Sequence, residues 1–211
     1  MFDTILFDLD GTLTDSYPGI TNSVKYALNK LGYEIPSDER LREFIGPPLF
    51  DEFSRMGMDK ETAEAAVRAY REYYPEKGVF ECTLINGAEE LLAELTRRGK
   101  YIALATSKPQ VFAKMILEHF GIDKYFDFIG GASLDDKIST KEQVLRYVLE
   151  KTGADPAQCV LVGDRFYDIV GAHKAGMKCI AVLVGYGSRG EFEEHNADII
   201  CETLGDVLKF V

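Results

Sequence analysis

Apolar residues along this chain follow two rhythms that alternate, apart from one long stretch that keeps a single rhythm. Short apolar runs of strand length stand at 5–7, 101–105, 126–130, 159–163, 178–184 and 197–201. Segments of helical period fall between the later runs, at 86–99, 109–120, 139–152 and from 164 to about 175. Two of them carry start signals, Asn86-Gly87-Ala88-Glu89 and the capping-box form Ser139-Thr140-Lys141-Glu142. Gly99, Gly121 and Gly176 stand where helices stop. Strands alternating with helices of 10–15 residues predict an α/β fold with a doubly wound parallel sheet.

The exception follows Leu13. For roughly 60 residues every periodic segment is helical and none reads as a strand. The pattern predicts a helix over 22–31 stopped by Gly32, a short one over 38–44, and one opened by Pro48 that runs through Met56. Asp59 then caps a longer helix, in which Ala63, Ala66, Val67, Tyr70 and Tyr74 recur as one apolar stripe. The expected organisation is an α/β core of residues 1–15 and 82–211, with a small helical domain of residues 16–81 inserted after the first strand.

Composition narrows the partners. The 211 residues are 46% hydrophobic and 28% charged, ordinary for a globular protein with a real core. A net charge of -11 argues against a nucleic acid polymer or an anionic membrane as the main partner. It also means that an anionic ligand must find its positive charge locally. No apolar run approaches the length of a membrane span, and Met1-Phe2-Asp3 does not open a secretory signal. Cys82, Cys159, Cys179 and Cys201 form no Cys-x-x-Cys pair, so they are read as reduced thiols of a cytoplasmic protein. His119, His173 and His195 lie in helical patterns away from the polar motifs, which argues against a His-rich metal site. Monomer and homodimer fit the sequence equally well.

The chemistry gathers at strand ends, where open parallel sheets bind ligands. Phe7-Asp8-Leu9-Asp10-Gly11-Thr12-Leu13 follows the first strand. Residues two apart in extended chain point the same way, so Asp8 and Asp10 face one ligand while Leu9 enters the core. Gly11 permits a sharp turn and a close approach of backbone to ligand. A solvated Asp-Gly turn is the plain alternative. In Thr106-Ser107-Lys108-Pro109 a hydroxyl and backbone N–H groups precede a helix, which suits an anion, with Ser107 also the expected helix cap. In Gly163-Asp164-x-x-x-Asp168 the second aspartate follows by one helical turn. Four carboxylates at one sheet end would repel and take up protons unless a hard dication such as Mg²⁺ joined them. Recurrence of the pattern on a second strand argues against the solvated turn. Lys141 falls between these motifs, where a phosphate would need its charge; Lys137 is its rival, and a surface lysine is the default for either.

The order Asp8-Leu9-Asp10-Gly11-Thr12-Leu13, Thr106-Ser107, Lys141, Gly163-Asp164-x-x-x-Asp168 resembles the haloacid dehalogenase superfamily over the whole chain. The helical insert is similar to that superfamily's cap of the first type. The nearest branch is that of phosphoglycolate phosphatases and 5'-nucleotidase-like hydrolases, which Gly185-Tyr186-Gly187-Ser188-Arg189 resembles too. One departure stands out: phosphoglycolate phosphatases place the lysine before a proline, whereas Glu142 follows Lys141 and Ile138 follows Lys137.

The resemblance implies a Rossmann-like core and a Mg²⁺-dependent hydrolase of small phosphate monoesters. Phosphoglycolate is the first expected substrate, with nucleoside 5'-monophosphates the alternative. Asp8 would be the nucleophile that becomes an aspartyl-phosphate, and Asp10 the acid and base. Asp8, the Asp10 carbonyl and Asp164 would hold the metal, with Asp168 supporting it or positioning Lys141. Thr106, Ser107, Lys141 and Gly11 would surround the phosphoryl group, and the cap would set specificity. Dehalogenases lack the second aspartate, so Asp10 favours phosphoryl transfer. A β-phosphoglucomutase-like mutase is the nearest rival, but no histidine occurs between Asp15 and Asn86, where such enzymes carry one. A retired, non-catalytic binding module should have lost part of the aspartate set, and a cap would shield the site from folded phosphoproteins.

Overall fold

The computed structural model describes residues 2–135 and 137–211, which leaves Met1 and Asp136 outside the described residues. In chain order the first elements are β1 (Thr4–Phe7), β2 (Thr14–Asp15), α1 (Tyr17–Leu31), α2 (Asp38–Arg42), α3 (Leu49–Arg55) and α4 (Lys60–Tyr73). There follow β3 (Thr83–Leu84), α5 (Ala88–Arg97), β4 (Tyr101–Pro109), α6 (Gln110–Phe120), β5 (Phe128–Ala132) and α7 (Lys141–Thr152). The chain closes with β6 (Cys159–Gly163), α8 (Phe166–Lys174), β7 (Lys178–Val182), α9 (Arg189–Glu194) and β8 (Ile199–Cys201). It divides into two compact units, Met1–Asp15 with Leu84–Val211, and Ser16–Thr83. The second crossing thus falls two residues later than the expected 81/82 boundary.

In the first unit, β1 and β4 to β8 form a parallel sheet in the order β5-β4-β1-β6-β7-β8. The strands read as continuous apolar runs because helices cover both faces of such a sheet. Ile5, Leu6, Phe7, Leu104, Leu161 and Val162 are all fully buried. The order reverses beside β1: β4 and β5 are laid on one side, then β6, β7 and β8 on the other. That reversal is the switch point outside which ligands of doubly wound sheets bind, and β1 carries Asp8 and Asp10 to it.

The second unit is helical over α1 to α4. Its core includes Val24, Leu28, Leu41, Phe44, Phe53, Ala63, Ala66 and Tyr70, with Phe44 and Phe53 packed edge to face at 5.0 Å. Among these apolar groups sits the fully buried carboxylate of Glu52. Arg40 pairs with one of its oxygens at 2.8 Å and Arg55 with the other, and Arg40 also donates to the Glu52 backbone carbonyl at 2.9 Å.

Several boundaries differ from the sequence reading. Helix α1 begins at Tyr17, five residues earlier than expected, because Pro18 favours the first turn and the Thr21 and Ser23 hydroxyls bond back to carbonyls of that turn. In α4, Ala69 is buried while Val67 is only half-buried. Gly87, not Asn86, is the N-cap of α5. The capping box of α7 is Thr140 with Gln143, one residue later than Ser139 with Glu142. Strand β5 starts at Phe128, two residues after the predicted start. Strand β4 runs on to Pro109, so Ser107 lies on the strand and caps no helix; Pro109 takes the N-cap position of α6 without a side-chain bond.

Candidate active site

The site grows out of the end of β1. The Asp8 N–H donates to the Val162 carbonyl on β6 at 2.9 Å, which continues the ladder one residue past the strand. Its Oδ1 accepts from the Leu9 N–H at 2.8 Å and pairs with Lys141 Nζ at 2.9 Å. Lys141 opens α7 and is 6% exposed. Its ammonium also reaches Asp168 Oδ1 at 2.9 Å and donates to the Ala105 carbonyl on β4 at 3.0 Å. Burial works against the charge on Lys141, but Asp168 and Asp8 together outweigh it and raise the pKa of the group.

Asp168 lies in the first turn of α8. Its Oδ2 accepts from the N–H groups of Asp164 at 3.2 Å and Arg165 at 3.1 Å. Burial pushes this carboxyl up to about 6, against the pull of Lys141. Asp164 is fully buried at the end of β6. The Thr12 hydroxyl donates to its Oδ1 at 3.1 Å and the Tyr186 N–H to its Oδ2 at 2.8 Å. Burial first, then the neighbouring Asp168 charge, hold it well above the usual carboxylate range. Gly11, with φ 81°, and Gly185 both press backbone against this carboxylate. A Cβ on either would fall 2.2 Å from Asp164 Oδ2.

Asp8, Asp164 and Asp168 each offer an oxygen within 4.8 Å of the others. With all three ionised and one ammonium among them, two negative charges remain. A hard dication matches that charge and this all-oxygen donor set, so the residues fit a divalent metal. The Asp10 carboxylate is not in this group. It turns to Lys108, whose Nζ lies 2.9 Å from Asp10 Oδ2, and both side chains are largely buried.

Thr106 is buried on β4, and its Oγ1 accepts from the Lys108 N–H at 3.2 Å, which leaves the hydroxyl proton to donate elsewhere. Ser107 is half-buried beside it. The two lysine candidates separate: Lys137 is 82% exposed and pairs with Asp135 at 2.7 Å, whereas Lys141 joins the carboxylates. Three participants escaped the sequence reading. Thr12 sits inside the first motif, and Tyr186 lies between Gly185 and Gly187, a glycine pair that marks close backbone approach. Lys108 was visible in its motif, but its reach depends on the course of β4.

Comparison with known proteins agrees with this geometry. Residues 5–182 match the family described as haloacid dehalogenase-like hydrolase. The chain belongs to that family. A 5'-nucleotidase of Pseudomonas aeruginosa is 43% identical over 204 residues, 96% of this chain and 92% of that one. A phosphoglycolate phosphatase of Vibrio parahaemolyticus is 31% identical over 217 residues, 98% of this chain and 95% of that one. The solved structure of a predicted phosphatase from Clostridium acetobutylicum superimposes with a TM-score of 0.94 at 44% identity, covering 99% of this chain and 97% of that one. Two of these three relatives are named phosphatases and the third a 5'-nucleotidase, and the expected superfamily and fold both stand. Among the described residues no helix is long and apolar enough to cross a membrane.

Proposed function

We propose that this haloacid dehalogenase-like hydrolase is a Mg²⁺-dependent phosphatase of small phosphate monoesters that carries the phosphoryl group on Asp8. The observation that supports the reading most is the placing of Asp8 against Lys141, beside two buried carboxylates. Asp8, Asp164, Asp168 and the Asp10 backbone carbonyl would hold the metal, which when bound offsets charge between a carboxylate and a phosphate dianion.

The chain's own residues then divide the work. An Asp8 oxygen bonds to phosphorus as the ester P–O bond breaks, and Asp10 gives its proton to the leaving oxygen. Water next attacks phosphorus, Asp10 takes the water's proton, and the bond from Asp8 to phosphorus breaks to release phosphate. Lys141 holds Asp8 in place. With the Thr106 hydroxyl and the Ser107 N–H it supplies donors to the phosphoryl oxygens, where charge spreads in the transition state. The helical unit is the cap of the first type, and we place the enzyme in the cytoplasm.

For the substrate, the likeness to a 5'-nucleotidase over nearly the whole chain favours nucleoside 5'-monophosphates. Phosphoglycolate is the second reading, from the more distant phosphoglycolate phosphatase. Phosphate release from adenosine 5'-monophosphate, phosphoglycolate and a sugar phosphate, each with Mg²⁺ and with EDTA, tests both. The expected result is Mg²⁺-dependent release, fastest from the nucleotide. Fastest release from phosphoglycolate reverses the order of substrates, and release unaffected by EDTA removes the metal.

A further inference from the structure

We propose that Lys108 is a positioning residue for Asp10, fixing which carboxylate oxygen faces the leaving group. The proposal rests on the reading of Asp10 as the general acid.

The chain takes trouble to bring Lys108 there. Along β4 and β5, Thr106 pairs with Gly131 and Pro109 with Ala132. Three steps on β4 therefore match one step on β5, and the surplus residues, Ser107 and Lys108, form a bulge. Bulges beside active sites re-aim side chains. Gly131 makes room for this one, since a Cβ there would meet the Lys108 carbonyl at 2.7 Å and the Gln110 Cα at 2.8 Å. The Lys108 N–H is anchored on Thr106 Oγ1, and its ammonium, at the end of a side chain 5% exposed, meets Asp10 Oδ2 at 2.9 Å.

An ammonium only donates, so Oδ2 is held as an acceptor and a proton on Asp10 belongs on Oδ1. Lys108 thereby orients the acid. Asp8 and Asp10 each have a lysine of their own: Lys141 serves the nucleophile and Lys108 the acid. Such a role has a signature. An alkoxide leaves badly without a proton, whereas 4-nitrophenolate leaves as a stable anion. Loss of acid positioning should therefore harm alkyl esters far more than the nitrophenyl ester.

The test compares kcat/KM for ethyl phosphate and 4-nitrophenyl phosphate in the wild type, Lys108→Met, Lys108→Arg and Asp10→Asn. The ratio kcat/KM covers events only up to loss of the leaving group, so the hydrolysis step common to all esters drops out. Expected for Lys108→Met is a loss on the order of 100-fold with ethyl phosphate and under about 10-fold with 4-nitrophenyl phosphate. Lys108→Arg should recover part of the ethyl phosphate rate, because it restores a donor. Comparing the two esters on one variant cancels any loss of folded protein. Equal losses on both esters, with Asp10→Asn still selective for the alkyl ester, would overturn the proposal and make Lys108 a phosphate-binding or structural group. Equal losses in Asp10→Asn as well would overturn the acid assignment, and the proposal with it.

Discussion

Glu52 and Asp164 are both fully buried carboxylates, one in each unit, and they are held in opposite ways. Glu52 lies between two guanidinium groups, Arg40 and Arg55, that keep their charge at any relevant pH. Its negative charge is answered within its own unit. Among the described residues Asp164 has a hydroxyl and a single backbone N–H, no cation of its own, and a second carboxylate nearby. Burial of charge without a matching partner is costly, and here the cost accumulates where Asp8, Asp164 and Asp168 converge. One carboxylate belongs to the architecture. The other belongs to a cluster of three carboxylates whose oxygens fit a divalent metal.

The largest effect should come from Asp8, the proposed nucleophile. Asp8→Asn should lower turnover by about 10⁴-fold or more while the protein melts as cooperatively as the wild type. Comparable turnover would return Asp8 to the class of Glu52. Next comes the lysine: Lys141→Ala should cost on the order of 10²–10³-fold in kcat, and Lys137→Ala close to nothing. The reverse ranking would move phosphate binding to the exposed lysine.

The contrast itself is sharpened by a pair of neutral replacements read by thermal melting and by kcat. Glu52→Gln weakens the buried pair with Arg40, which keeps Glu43, and the pair with the exposed Arg55, and should lose about 2 kcal/mol of stability with kcat unchanged. Asp164→Asn removes an ill-matched charge, so the metal-free protein should melt higher than the wild type while turnover falls sharply. A fall in melting temperature for both would erase the distinction between them.

The smallest effect is the pH dependence. Asp168 titrates near 6 in the fold against an ordinary 3.8, so between these values the folded protein holds more protons than the unfolded one. Metal-free stability should therefore decline as pH rises from about 4 to 6, and melting with EDTA across that window reads it. Added Mg²⁺ should flatten the decline, because it competes with those protons. A metal-free protein whose stability rises with pH through this window would contradict the burial of charge at Asp168.

Much of this was legible in the sequence because it depends on local spacing. Strand β6 runs over Cys159–Gly163 as its apolar run predicts, and the Asp-x-Asp after β1 sits where a switch point requires it. What was hidden depends on partners distant in the chain. Pro109 looked like the first residue of a helix, yet pairing with Gly131 and Ala132 extends β4 through it, and this extension aims Lys108. The helical start of α1 was masked by Thr21 and Ser23, which usually favour turns but here bond back to helix carbonyls. Tyr186 could not be assigned because its part is played by a backbone N–H, which carries no sequence signature.

A phosphoryl group carried on Asp8, as proposed, would leave an acyl phosphate there during turnover. Acid quench during turnover with Mg²⁺ and a nucleoside 5'-monophosphate, borohydride reduction of the acyl phosphate, and peptide mapping test it most directly. The expected result is reduction at Asp8 that is absent from Asp8→Asn. Reduction at Asp10 instead, or the same labelling pattern in Asp8→Asn, would contradict it.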